Sequence, residues 1–301
     1  RTPQLLTLVG VPGIGKSRLV WELAEAVDAD PDIVVFWRQG RSLPYGDGVA
    51  YWAVAEMVKA QAAILETDSA ESAETKLVET VTGLVPDSAE ARWVESQLRP
   101  LVGLTAEDDP GDRRDEAFAA WRRYLEAVAD ERPLVLVFED LHWADAALLA
   151  FLKHLADWSQ GVPLLLLCTA RPELHEQHPA WAAGLRNATT INLAPLTDEE
   201  TARLLSMLLE RTVLPAETQQ ALLERAGGIP LYAEEFVRLL QDRDLLSGAP
   251  EDVQVPASTH SPPSARACSR TPPWWARSSG PVPWRRWVTA TRARSRWRCT
   301  S

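Results

Sequence analysis

Apolar positions in the first 254 residues follow two alternating patterns. Short unbroken apolar runs predict strands buried on both faces, and runs with an apolar residue every three or four positions predict amphipathic helices. Residues Gln4–Val9 form the first short, mostly apolar run, ending at a glycine-rich stretch. Lys16–Asp28 follows as a helix, with Leu19, Val20, Leu23 and Val27 on one face. Positions 33–37 read as a second strand and 38–48, rich in Gly and Pro, as a loop. Helices are expected over 49–65, Ala70–Leu84 and 89–101. Positions 113–130 give the clearest helix, since Phe118, Trp121, Leu125 and Val128 recur at helical spacing. Residues 134–138 read as a buried strand. A helix over 145–160 aligns Leu148, Leu152 and Leu155. Two further strands are expected over 163–169 and 190–193. Buried strands separated by helices predict a parallel sheet in an α/β domain.

The pattern changes after Pro195. Thr197 and Glu200 have the spacing of a capping box, which opens a helix running to Leu209. A second helix is expected over 215–225. Gly227-Gly228-Ile229-Pro230 breaks the chain, and 231–246 reads as a third helix. The expected layout is an α/β domain over 1–195, a small helical subdomain over 196–250 and a distinct tail over 251–301.

Charge sharpens that last division. The chain of 301 residues carries a formal charge of −11, but the distribution is uneven. Residues 1–254 hold 22 basic and all 42 acidic side chains, whereas 255–301 hold 9 Arg and no acid. That tail has no Leu, Ile or Phe, yet has 5 Trp among many Ser, Pro, Ala and Thr. It shows neither a helical nor a strand period. Its composition reads as GC-rich coding DNA translated out of frame. A basic, aromatic arm for nucleic acid and an ordinary disordered tail are the alternatives. A start at Arg1 instead of Met points to a fragment. The apolar runs fall far short of the ~18 residues of a membrane span. The three cysteines, Cys168, Cys268 and Cys299, have neither zinc spacing nor a disulfide framework, so a reducing, cytoplasmic setting is expected.

The chemistry begins at Gly10-Val11-Pro12-Gly13-Ile14-Gly15-Lys16-Ser17, the full phosphate-loop pattern between a buried strand and a helix. Its glycines allow backbone N–H groups to turn inward around phosphate oxygens, and the helix start adds partial positive charge. Lys16 is expected to reach the β- and γ-phosphates and Ser17 to bind Mg²⁺. The run 134–138 then delivers Glu139 and Asp140 to a strand's C-terminal end, where nucleotide sites in such sheets lie. One carboxylate would serve the cation and the other a hydrolytic water, because adjacent strand residues point to opposite faces. Arg171 closes the next strand in Thr169-Ala170-Arg171-Pro172 and is a candidate sensor of the terminal phosphate.

The stretches GVPGIGKS, VLVFEDLHWAD, TARPEL and GGIPLYAEEF together resemble the signal-transduction ATPases with numerous domains, switch modules within the wider AAA-type group. Within that family the chain is most similar to the bacterial subset linked to class III adenylate/guanylate cyclases or to LuxR-type regulators. The stretch from Arg38 through Arg41 to Gly46 adds to the likeness. The resemblance covers residues 1–246. It implies a three-layer α/β P-loop fold with a five-stranded parallel sheet of the AAA type, plus an all-helical lid. It implies an ATP/ADP switch with slow Mg²⁺-dependent hydrolysis. Gly10 through Ser17 and Arg18 would contact the nucleotide, and Ser17, Glu139 and Asp140 the Mg²⁺. Lys16, Glu139, Asp140 and Arg171 would carry the chemistry. Pro230, in the GxP motif, would pack near the adenine and tie the lid to nucleotide state. A covalently linked effector domain outside this chain and a nucleotide-dependent homo-oligomer are the implied partners. Glu139 stands where the family commonly has Asp, which makes hydrolysis slow or reassigns it within the pair. The tail begins where the family's winged helix would start.

Two other function classes remain open on sequence. A DNA-binding, initiator-like ATPase is the main alternative, and the acidic balance of residues 1–254 speaks against direct nucleic-acid contact. A small-molecule kinase lacks a clear Arg-rich lid here. His142 is expected to be structural, and His175 and His178 solvated. Asn187-Ala188-Thr189 fits a glycosylation sequon, with no sign of secretion. Trp21, Trp52, Trp93 and Trp121 are expected to pack within or between helices.

Overall fold

The computed structural model describes residues 1–44, 50–104, 114–209 and 215–242. Five parallel strands form one sheet in the order β2-β3-β4-β1-β5. They are β1 (Gln4–Val9), β2 (Phe36–Arg41), β3 (Leu134–Glu139), β4 (Leu164–Ala170) and β5 (Ala188–Asn192). Their alternating side chains feed two separate cores. Leu5 and Val9 of β1, Leu134, Leu136 and Phe138 of β3, and Leu164, Leu166 and Cys168 of β4 face the larger one. There they meet α2 (Trp52–Gln61), α3 (Ala70–Leu84), α4 (Ser88–Leu98), α5 (Arg114–Glu131) and α6 (Ala146–Trp158). Leu8, Val135, Val137 and Leu167 face the other way, onto Val20 of α1 (Lys16–Asp28). Helices on both faces make the fold a three-layer α/β sandwich, as the alternation of runs predicts.

A short helix α7 (Glu173–Gln177) follows β4. The small helical unit comprises α8 (Asp198–Leu208), α9 (Ala216–Ala226) and α10 (Pro230–Asp242). Thr197 and Glu200 make the expected reciprocal capping box at α8. This unit has its own core of Leu205, Leu209, Leu222, Ala226, Ala233, Val237 and Leu240.

The second strand departs from the sequence expectation. It runs Phe36–Arg41, not 33–37, so Arg38 to Arg41 belong to the sheet and not to a loop. It is an edge strand whose polar residues point at other parts of the molecule, which removes the apolar signature of a strand. Gly40 permits α2 to lie against it: a Cβ there would sit 2.3 Å from the Ala53 carbonyl oxygen. The last strand is Ala188–Asn192, two residues upstream of its expected start. Helix α2 is shorter than expected, and the starts expected at Val49 and Arg113 lie outside the described residues. So do Tyr45 and Gly46 of the loop motif, the expected end of the third helix of the small helical unit, and the whole arginine- and tryptophan-rich tail. Among the described residues no helix is long and apolar enough to cross a membrane.

Candidate functional site

Because every strand is parallel, all five C-terminal ends open onto one rim. Residues 10–15 leave β1 there and enter α1. Gly13 (φ 79°) and Gly15 (φ 105°) lie in the left-handed region that glycine tolerates best. Gly15 precedes α1, and no side chain caps that helix or adds an acid to its first turn. An uncapped helix start of this kind has the N–H groups and partial positive charge that suit an anion. The Gly10 N–H donates to the Ala170 carbonyl (3.2 Å) and Leu193 N–H to the Val9 carbonyl (2.8 Å), which anchors the loop between β4 and the exit of β5.

Lys16 folds back over this loop. Its Nζ donates to the carbonyl oxygens of Gly10 (2.7 Å) and Val11 (3.1 Å). Desolvation lowers its pKa; the charge of Asp140 opposes the shift, that of Arg171 adds to it, and Glu173 opposes it. Lys16, Asp140 and Arg171 thus feel one another at one rim. Ser17 is exposed at the start of α1. Arg18 points along the helix instead, donating to Glu22 (2.7 Å) and stacking 4.6 Å over the Trp21 ring.

The acidic pair sits at the end of β3, but not as strand alternation predicts. Glu139 is the last strand residue; Asp140 turns into the left-handed region (φ 55°, ψ 43°) and opens a short 3-10 turn over Leu141–Trp143. That turn swings the second carboxylate back toward the first. Both meet Arg41: its Nη2 lies 3.2 Å from Glu139 Oε2 and its Nε 3.4 Å from Asp140 Oδ2. The separate-face assignment of the two acids is corrected accordingly. Asp140 is further fixed by its N–H, which donates to Thr169 Oγ1 on β4 (3.2 Å). Burial raises the Glu139 pKa; Arg41 and a hydrogen bond from Gln39 oppose that rise, and Asp140 adds to it.

Sequence reasoning missed Arg41. The β2–β3 register places Arg41 directly beside Glu139, on the face shared with α1. Its backbone N–H donates to Glu56 Oε2 of α2 (3.1 Å), so α2 also helps place it. A correct boundary for β2 was the missing signal, since opposite charges on paired strands attract.

His142, expected to be structural, is buried at 4% exposure, with both ring nitrogens unpartnered. Desolvation lowers its pKa; Asp140 opposes this, Arg171 adds to it, Glu173 opposes and Lys16 adds. The ring lies 5.0 Å from that of Trp143, which is half exposed at the rim. Asn187 donates from Nδ2 to the Pro3 and Ala156 carbonyls (2.7 and 2.8 Å), so its amide is structural. Among the described residues no three His, Cys, Asp or Glu side chains cluster as metal ligands, and His175 and His178 form no such group.

The helical unit reaches the rim through its third helix. Pro230 is the first residue of α10, and beside it the Leu231 N–H donates to the Gly13 carbonyl (3.2 Å). Gly228 joins the unit to the chain before α8: its carbonyl accepts from Leu196 N–H (2.8 Å). A Cβ on Gly228 would lie 2.4 Å from the Leu196 carbonyl oxygen, and its φ is 74°.

The AAA ATPase domain family matches residues 1–167. Over 135 residues the chain is 32% identical to an uncharacterised protein of Rhizobium meliloti (strain 1021). That match covers 44% of this chain and 13% of the relative, so the chain spans only about an eighth of that protein's length. The crystal structure of a signal transduction ATPase with numerous domains and a tetratricopeptide repeat sensor, from Pyrococcus horikoshii, aligns with 84% of this chain and 28% of its own. The two share 17% identity at a TM-score of 0.40. The family match spans more than half of the chain and includes the glycine-rich loop and the acidic pair, and the protein belongs to the AAA ATPase domain family.

Proposed function

We propose that this chain is an ATP-binding regulatory module, a slow Mg²⁺-dependent ATPase that works as an ATP/ADP switch. The observation that carries this reading is the convergence of an uncapped helix start, Lys16, the acidic pair and Arg171 on one rim. Lys16 now bonds two loop carbonyls, and a β- or γ-phosphate oxygen would replace them as a charged acceptor. The N–H groups at the start of α1 would bind the same phosphates, and Arg171 would neutralise the terminal one.

An all-oxygen donor set fits Mg²⁺: the Ser17 hydroxyl with the Glu139 and Asp140 carboxylates, which converge closely enough to share one guanidinium. When bound, the ion would neutralise phosphate charge. Where Ser17 and Asp140 hold the ion, Glu139 would be the carboxylate left to take a proton from an attacking water. The glycine-rich loop from Gly10 through Gly15 would supply backbone contacts, and Pro230 and neighbouring lid residues an apolar surface for the base. Arg18, engaged with Glu22, would act only after leaving that pair.

The four motif stretches support a reading in which the module belongs to the signal-transduction class, would be covalently joined to a cyclase or a transcriptional output, and would assemble with nucleotide. Titration calorimetry with Mg²⁺ and ATP tests the core of this reading. Micromolar or tighter binding by the wild-type chain is expected, with Lys16→Ala weaker by roughly 30-fold or more. Equal affinity in the two proteins would refute it.

A further inference from the structure

The glycine-rich loop is covered by the lid. Gly13 is the contact point, and three observations there agree. Its carbonyl accepts the Leu231 N–H at 3.2 Å. The space where a Cβ would stand is already filled: Leu231 Cβ lies at 2.8 Å, with Ile229 Cγ2 and Leu231 Cδ2 each at 3.1 Å. The same peptide unit is held at its other end, since Ile14 N–H donates to the Val11 carbonyl at 3.3 Å.

The position of Leu231 in its helix explains why the bond is available. Residue 231 belongs to the first turn of α10, which begins at Pro230. First-turn N–H groups have no partner within their own helix and seek one outside. Here the partner is the carbonyl of a loop whose job is to aim N–H groups inward. A carbonyl held outward fixes the plane of its peptide.

We propose that Leu231 is a positioning residue for the phosphate loop, so that lid docking is part of the phosphate-binding site itself. The idea rests on the nucleotide-binding reading above and deepens it. Coupling then runs through the loop backbone and does not require a base. By reciprocity, any anion that needs the ordered loop also favours the docked lid.

The test uses the full chain and Leu231→Pro, which removes the N–H donor at a first-turn position of α10 where a helix tolerates proline. Mg-triphosphate, which has no base, is the probe, with Mg-ATP alongside. The expected result is a loss of about 5- to 20-fold in affinity for both ligands. A loss confined to ATP would mean that the lid acts through the base, and would overturn the proposal. Hydrogen exchange in ligand-free protein gives a second readout. Amides of residues 13–16 should exchange faster in Leu231→Pro, whether or not any nucleotide binds. Unchanged exchange there would overturn the proposal independently. A wild-type chain that binds neither ligand, yet shows the exchange effect, would count against the nucleotide reading alone.

Discussion

The two units of this chain differ in scale, and the site lies where they meet. One face of the sheet and helices α2 to α6 share a continuous core of more than forty buried residues, with Tyr124, Phe138, Phe151 and Leu152 among the largest fully buried side chains. Among the described residues, the core of the small helical unit has seven. A unit that small buries too little apolar surface to be firmly stable alone. It gains from docking, and the docking surface includes the glycine-rich loop at Gly13. A large rigid body thus holds Lys16, Glu139 and Arg171, while a weakly stable body sits against Gly13. Docking of the smaller unit is then easily biased by what the loop binds.

Equivalent substitutions in the two units should separate them most strongly. Leu152 and Leu222 are both fully buried. Each truncation to Ala should cost about 2–5 kcal/mol locally. Leu152→Ala should lower the main thermal transition. Leu222→Ala should abolish ordered lid amides while leaving that transition in place. Loss of the main transition in both would show one cooperative unit.

Gly228→Ala should come next, at roughly 2–3 kcal/mol, because the left-handed backbone and the close Leu196 carbonyl both resist a Cβ. Limited proteolysis should cut the lid of this variant while sparing the sheet. Gly83→Ala is the control: nothing lies within 4 Å of that Cβ position in α3, and a gain of about 0.5–1 kcal/mol is expected.

Arg41→Ala should act on the larger unit only. With the shared guanidinium gone, the acidic pair should bind Mn²⁺ about three- to tenfold more tightly, read by EPR, and lid exchange should not change. Unaltered Mn²⁺ affinity would show that Arg41 does not compete for the pair.

The smallest effect concerns Glu139. Burial raises its folded-state pKa above the ordinary value of 4.5. A folded state that holds the proton more tightly than the unfolded one loses stability as pH rises through the folded pKa. Glu139→Gln should therefore stabilise the ligand-free protein slightly at pH 7. The gain should shrink on acidification toward the usual glutamate value. Thermal melts across that range would show it, and a gain that grows on acidification would reverse the sign.

Much of this was legible from residue order. The runs in β1, β3 and β4 sit between two helical layers, so their sequences are mostly apolar, and the buried threonines Thr7 and Thr169 find hydrogen-bond partners inside. The phosphate loop was legible because its chemistry requires adjacent residues. Strand β2 was misplaced because it is an edge: Arg38, Gln39 and Arg41 face other groups, and Gly40 yields to α2. The convergence of Glu139 and Asp140 was hidden for a different reason. It depends on one left-handed residue and on a partner from a neighbouring strand, and neither is visible in local spacing. The Gly13–Leu231 bond joins residues 218 positions apart in sequence, so no local pattern could reveal it.

The central claim is that the lid reports the state of the phosphate loop. Hydrogen exchange of the Val237 and Leu240 amides in the full chain tests it most directly, compared with no ligand, Mg-ADP and a non-hydrolysable Mg-ATP analogue. The account predicts that exchange in α10 changes between the ADP and ATP-analogue states while β3 and β4 stay unchanged. Identical α10 exchange in all three states, with both nucleotides shown to be bound, would contradict it.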